Sequence, residues 1–246
     1  MIFNNNNIIT FVHIPKTAGT SVHTALYTRF KCPNENKCIN YKYIGHWKDE
    51  KTGIWSKNLF FYLNEDFKRA KYDLTKRNKY FPFNDLNFVI FTVIRSPYSR
   101  IVSAYNYLRK FKGSSEVTMA AIYNKYFKEL DEKNINEKDK FKFFIDSLIE
   151  SEDFIMENNV VFFKKMSEFI SKDNKMLVQN LIKFENLQTE INELLTKYKY
   201  PELFLPFSKK NKSIFNSDFF LEDEKETKEK IFNFYKSDFI DFKYEF

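Results

Sequence analysis

Residues 87–94, NFVIFTVI, constrain this chain most: they are almost unbroken in apolar and β-branched side chains, and they run directly into Arg95, Ser96 and Pro97. A run this short and this apolar has no face to give to water, so it predicts a central parallel strand covered on both sides. Pro97 suits the first turn of a helix, where its missing amide forfeits no hydrogen bond. Ile101, Ala104, Tyr105 and Leu108 then fall along one side of that helix. The same unit occurs near the N-terminus. Residues 8–14 (IITFVHI) form a short apolar run that stops at Pro15, and residues 19–30 carry Val22, Ala25, Leu26 and Phe30 at spacings of three and four. Thr20 or Ser21 could satisfy amides in the first turn of that second helix.

Weaker patterns fill in the rest. They predict a strand over 41–45, a charged helix over 63–77, helices near 117–130, 141–150, 161–171, 187–198 and 222–234, and a strand over 181–184. No repeat, low-complexity linker or change of composition divides the chain, so residues 1–246 are expected to form one domain. Strands alternating with helices predict an α/β fold with a mainly parallel central sheet flanked by helices. Such sheets take ligands beyond the carboxyl ends of their strands, which directs attention to the loops after Ile14 and Ile94.

Composition closes off several classes. At 43% hydrophobic residues, with 30 Phe and 15 Tyr, the chain has ample material for a core and is not a disordered polymer. The net charge of +7 comes from lysines scattered among compensating acids, a solvated surface rather than the focused stripe of a nucleic-acid binder. No apolar run approaches the roughly 18 residues needed to cross a bilayer, and a cytoplasmic location is the expectation. Cys32 and Cys38 lack the further Cys or His nearby that a zinc site requires; they read as two thiols, with a local disulfide as the alternative, and no metal is expected.

The loop of Pro15, Lys16, Thr17, Ala18, Gly19, Thr20 and Ser21 puts a lysine, three hydroxyls and a glycine between a strand and a helix N-terminus. Amides at a helix start and the helix dipole both favour negative charge, so these residues make an anion cradle. The order is not that of a Walker A box, because Lys16 precedes the glycine instead of following a second one. An ordinary capped turn would use similar residues. The second loop argues against that plainer reading: Arg95 lies just past the strand, Ser103 lies eight residues on, and Arg95, Arg100 and Arg109 fall within fifteen residues. An arginine fork and a hydroxyl together suit a phosphate.

Residues 11–21 (FVHIPKTAGTS) resemble the 5′-phosphosulfate loop of sulfotransferases, in particular the carbohydrate type related to heparan sulfate 2-O-sulfotransferases, and residues 95–105 (RSPYSRIVSAY) resemble their 3′-phosphate motif. Fainter likenesses at Gly45 and His46, at residues 184–187 (FENL) and at residues 235–239 (YKSDF) spread it along the chain. The resemblance implies a P-loop NTPase-like sulfotransferase fold and a donor, 3′-phosphoadenosine-5′-phosphosulfate (PAPS), which becomes 3′-phosphoadenosine-5′-phosphate (PAP) on losing its sulfonate. It implies that Lys16, Thr17, Ala18, Gly19, Thr20 and Ser21 hold the 5′ end and that Arg95 and Ser103 hold the 3′-phosphate. Lys16 would also stabilise the leaving oxygen.

The acceptor would be a hydroxyl, of a saccharide by this likeness, and its proton needs a base. Of the three histidines, His46 follows a glycine in the position where related enzymes carry their base. His13 reads as a structural or orienting residue and His23 as a surface one. Trp47 and Trp55 flank His46, either as a sugar-stacking wall or as packing over the sheet edge. The run Lys209, Lys210, Asn211 and Lys212 reads as a solvated turn or a cover over the donor. Two alternatives stand beside the transferase: a P-loop nucleotide kinase-like enzyme, which the missing Walker lysine disfavours, and a non-catalytic nucleotide-binding module.

Overall fold

The computed structural model describes residues 7–30, 41–43, 47–48, 55–56, 58–61, 87–115, 117–157, 160–172, 175–206 and 224–246. In chain order the elements are β1 (Asn7–Val12), α1 (Gly19–Phe30), β2 (Tyr41–Tyr43), β3 (Trp47–Lys48), β4 (Trp55–Ser56), β5 (Asn58–Phe61), β6 (Asn87–Ile94), α2 (Pro97–Leu108), α3 (Val117–Tyr126), α4 (Lys128–Glu132), α5 (Glu137–Glu150) and α6 (Glu152–Glu157). They continue with α7 (Ser167–Ile170), β7 (Ser171–Lys172), β8 (Lys175–Met176), β9 (Asn180–Lys183), α8 (Leu187–Lys197), α9 (Lys225–Phe234) and α10 (Lys236–Phe242). The chain falls into two compact units, one of residues 1–94 with 166–208 and the other of residues 95–165 with 209–246.

The first unit is an α/β layer. Its sheet runs β2-β5-β1-β6-β9, and the three strands β1, β6 and β9 are parallel, paired from Asn7↔Asn87 to Val12↔Thr92 and from Phe91↔Asn180 to Ile94↔Lys183. On the β1 side, β5 pairs antiparallel with β1 and β2 pairs antiparallel with β5. Alternate positions Phe11, Val89, Phe91, Val93 and Ile182 pack with Val22, Ala25 and Leu26 of α1 and with Ile191, Leu194 and Leu195 of α8. The Phe11 and Phe91 rings stack at 5.1 Å, a contact worth about 1 kcal/mol beyond its buried area. The intervening Val12, Ile90, Thr92 and Ile94 are buried as well, so both faces of β6 are covered, as its near-continuous apolar sequence requires. Thr92, the polar exception, donates its hydroxyl hydrogen to the Val12 carbonyl at 2.7 Å and ties the last rungs of β1 and β6 together.

The second unit is helical, and the phenylalanine surplus is its core. Tyr105 of α2 meets Phe141 edge-on at 5.1 Å, and Phe127 stacks on Phe144 at 5.3 Å. At the C-terminal end of α2, Arg109 bonds Asp131 at 2.9 Å and also pairs with Glu137, while the Tyr123 hydroxyl donates to Asp131 at 2.6 Å.

The helix at 19–30 and the strand at 87–94 coincide with the elements predicted there, and the other differences have local causes. β1 ends at Val12, two residues short of expectation, and of the strand expected over 41–45 the last two residues lie outside the described residues. The predicted helix 117–130 is broken at Phe127, whose ring turns into the core, leaving α3 and α4. α5 begins at Glu137 rather than 141 because the Asn136 side chain accepts the Asp139 amide at 2.9 Å, a cap that apolar spacing alone does not reveal. The expected helix 161–171 is mostly a turn. Its carbonyls at Phe163 and Lys164 accept from the Tyr235 hydroxyl and Arg100 Nη1, both at 2.8 Å, so tertiary bonds replace helical ones and only α7 remains. The predicted helix 63–77 lies outside the described residues, and the short α6 and α10 were not anticipated.

Candidate functional site

Two chain exits stand side by side on one edge of the sheet, after Val12 and after Ile94. The first turns by changing hand. Lys16 has φ 70° and Ala18 φ 71°, while Thr17 between them keeps a negative φ. Each left-handed non-glycine residue costs on the order of 1 kcal/mol, which the surroundings must offset. Alternating hands point successive amides toward one side and form a concave nest for an anion. The Thr17 hydroxyl, fully buried, donates to the Ile14 carbonyl at 2.9 Å and closes the turn from inside. Thr17 can therefore meet a ligand through its amide and not through its hydroxyl.

α1 opens at Gly19, with the Ala18 carbonyl accepting the amides of Ser21 at 2.9 Å and Val22 at 3.1 Å. The Thr20 and Ser21 hydroxyls that sequence reasoning offered as caps sit inside the helix instead, Thr20 exposed and Ser21 half-buried. Gly19 has a specific steric reason to be glycine. A Cβ built there would fall within the His13 imidazole, so that ring lies directly against the backbone where the helix begins. His13 also packs near Phe11, with ring centroids 5.9 Å apart. Lys16 is half-buried on this turn.

The second exit uses side chains. Ser96 takes the cap position of α2 with an extended backbone (φ −47°, ψ 127°) and no side-chain cap bond, Pro97 follows, and the Arg100 amide makes the first helical bond to the Ser96 carbonyl at 2.8 Å. Arg95 Nε donates to Ser99 Oγ at 2.9 Å, and Ser99 Oγ donates onward to the Ser96 carbonyl at 3.2 Å. Ser103 lies half-buried one turn beyond Ser99 on the same helix face. Tyr98 is a packing residue: its ring meets Phe239 at 4.9 Å, and burial pushes its hydroxyl up to about 12, so it stays protonated.

The three arginines that looked like one cluster have separate tasks. Arg100 is buried and donates to the Lys164 carbonyl, Arg109 is held by Asp131 and Glu137, and Arg95 alone stands at the strand exit. His46, with Gly45, lies outside the described residues, as do Cys32, Cys38 and residues 209–213. Trp47 and Trp55 fall on β3 and β4, paired antiparallel as Trp47↔Ser56 and Lys48↔Trp55. His23 is half-buried on α1. Sequence reasoning missed Ser99, although its spacing of four from both Arg95 and Ser103 was visible, and it missed the His13 to Gly19 contact, which has no signal beyond the rarity of glycine in this chain.

Among the described residues, no group of three or more His, Cys, Asp or Glu is placed to hold a metal ion, and no helix is long and apolar enough to cross a membrane. The model of the sulfotransferase family matches residues 1–245. No curated protein and no solved structure matches the chain.

Proposed function

Since the chain belongs to the sulfotransferase family, we propose that it transfers the sulfonate of PAPS to a hydroxyl group, and that the acceptor is a saccharide of the kind its likeness to heparan sulfate 2-O-sulfotransferases suggests. The observation that carries this reading is the double change of hand at Lys16 and Ala18, in the turn that leads into the N-terminus of α1. Left-handed non-glycine residues outside helix ends are enriched at functional sites, and a nest of amides meeting a helix start suits a phosphosulfate. In the reaction the acceptor oxygen bonds to sulfur as the bond from sulfur to the 5′-phosphate oxygen breaks, leaving PAP. Lys16 neutralises charge on that departing oxygen, and its effect is greatest in the transition state. His46 takes the acceptor proton, a role supported by its place after Gly45 in the family-like sequence.

Arg95 and Ser103 hold the 3′-phosphate in this reading. An arginine placed for that group favours the nucleotide that carries it, because a charge-assisted bond is then made that AMP cannot make. Titration calorimetry with adenosine 3′,5′-bisphosphate and with AMP tests the assignment: a preference for the bisphosphate that Arg95→Ala removes is expected, and equal binding by the unaltered protein overturns it. For the chemistry, Lys16→Ala should lower the transfer rate by roughly two to three orders of magnitude. His46→Ala should lower it while bisphosphate affinity holds. Full activity in both variants ends the proposal.

A further inference from the structure

We infer that Ser99 is a positioning residue that sets the plane of the Arg95 guanidinium and so sharpens recognition of a 3′-phosphate; this rests on the reading of Arg95 given above. The geometry is directional. Ser99 has one hydroxyl hydrogen, and that hydrogen goes to the Ser96 carbonyl at 3.2 Å, while a lone pair of the same oxygen accepts Arg95 Nε at 2.9 Å. The hydroxyl is thus a relay from the side-chain fork to the backbone of the helix cap. A hydroxyl whose hydrogen is committed in this way has none to donate to a phosphate, which separates Ser99 from a direct ligand.

Torsion about the long arginine side chain is what the bond removes. A guanidinium recognises a phosphate by its planar fork, so rotation out of plane weakens two bonds together. Nε is the atom nearest the chain and fixing it fixes the fork. Ser99 also stands one helical turn from Ser103 and four residues from Arg95, so the bond draws the guanidinium along the face that carries the second proposed phosphate ligand. Ser99 is half-buried and belongs to no apolar cluster of the helical unit, so its removal leaves the core intact.

The test measures affinity for adenosine 3′,5′-bisphosphate and for AMP by calorimetry in Ser99→Ala, Ser99→Thr, Arg95→Ala and the Arg95→Ala/Ser99→Ala pair, with circular dichroism to verify folding. Ser99→Ala is expected to reduce the ratio of the two affinities about tenfold, the scale of one charge-assisted bond. Ser99→Thr, which keeps the hydroxyl and can bond the carbonyl three residues back, should restore it. In the Arg95→Ala background the second substitution should change nothing, because a residue acting only through Arg95 has nothing left to position. An unchanged ratio in Ser99→Ala beside a lost preference in Arg95→Ala overturns the inference and leaves the phosphate reading standing. A Ser99→Ala effect that persists without Arg95 overturns it too, since Ser99 would then touch the ligand. If Arg95→Ala itself keeps the preference, the underlying reading fails and this inference fails with it.

Discussion

After β1 the backbone changes hand at Lys16 and again at Ala18, whereas after β6 no residue of the turn has a positive φ and the work passes to Arg95, Ser96, Pro97 and Ser99. Two adjacent strands of one sheet therefore feed their helices in different ways. The first turn offers amides, which suit any tetrahedral anion from several directions. The second offers the planar guanidinium of Arg95, bonded through Nε to Ser99, and a planar fork is more selective in direction than a set of amides. Backbone recognition depends on local sterics, and side-chain recognition depends on whatever anchors the helix.

The sharpest way to probe the second arrangement is at the far end of its helix. Arg109 is nearly buried with Asp131, and Arg109→Met would leave that carboxylate and Glu137 without their shared cation, costing about 3 kcal/mol in chemical denaturation. The effect should depend on pH with a definite sign. Burial alone would raise the Asp131 pKa, but the Tyr123 hydrogen bond and Arg109 outweigh it and hold the carboxyl below its usual value. Its stabilisation is present above an unfolded pKa of about 3.9 and fades as pH falls through the lower folded value. The variant should therefore lose less stability than the parent between neutral and acid pH, and a parallel pH profile would count against the pair.

The first arrangement should break by steric means. Gly19→Ala puts a methyl group into the His13 ring, and overpacking of this kind costs about 2 kcal/mol. Adding His13→Ala should recover most of that loss, seen as a return of the urea midpoint; if the two losses simply add, the ring and the glycine are not coupled. The smallest effect belongs to Thr17→Val, which keeps the shape but removes the hydroxyl's bond to the Ile14 carbonyl and should cost about 1 kcal/mol. A neutral result there would mean that the turn holds its two left-handed residues without a bond from inside.

What could be read beforehand follows the same division. β6 was legible because a continuous apolar strand has few places to go, and α1 because its apolar spacing and its glycine agree. The turn from β1 into a helix N-terminus was legible, but nothing in residue types announced that Lys16 and Ala18, rather than Gly19, would adopt positive φ. Gly19 instead yields space to His13, a contact that only tertiary structure creates. Helix 161–171 misled because apolar periodicity is blind to a competitor, here the donors of Tyr235 and Arg100, which take carbonyls a helix would have used. The three neighbouring arginines part for a related reason: proximity in sequence along a helix sends side chains to different faces, so Arg100 meets the Lys164 carbonyl and Arg109 the carboxylates of Asp131 and Glu137.

The bond from Thr92 to the Val12 carbonyl gives the sheet a further role. It joins the end of β1 to β6 two residues before β6 itself ends, on strands about 4.8 Å apart, so the offset between the two departure points is a property of the ladder and owes nothing to the turns themselves. Either turn could drift in sequence, lengthen or exchange its chemistry over evolutionary time, and the baseline from which both reach outward would stay the same.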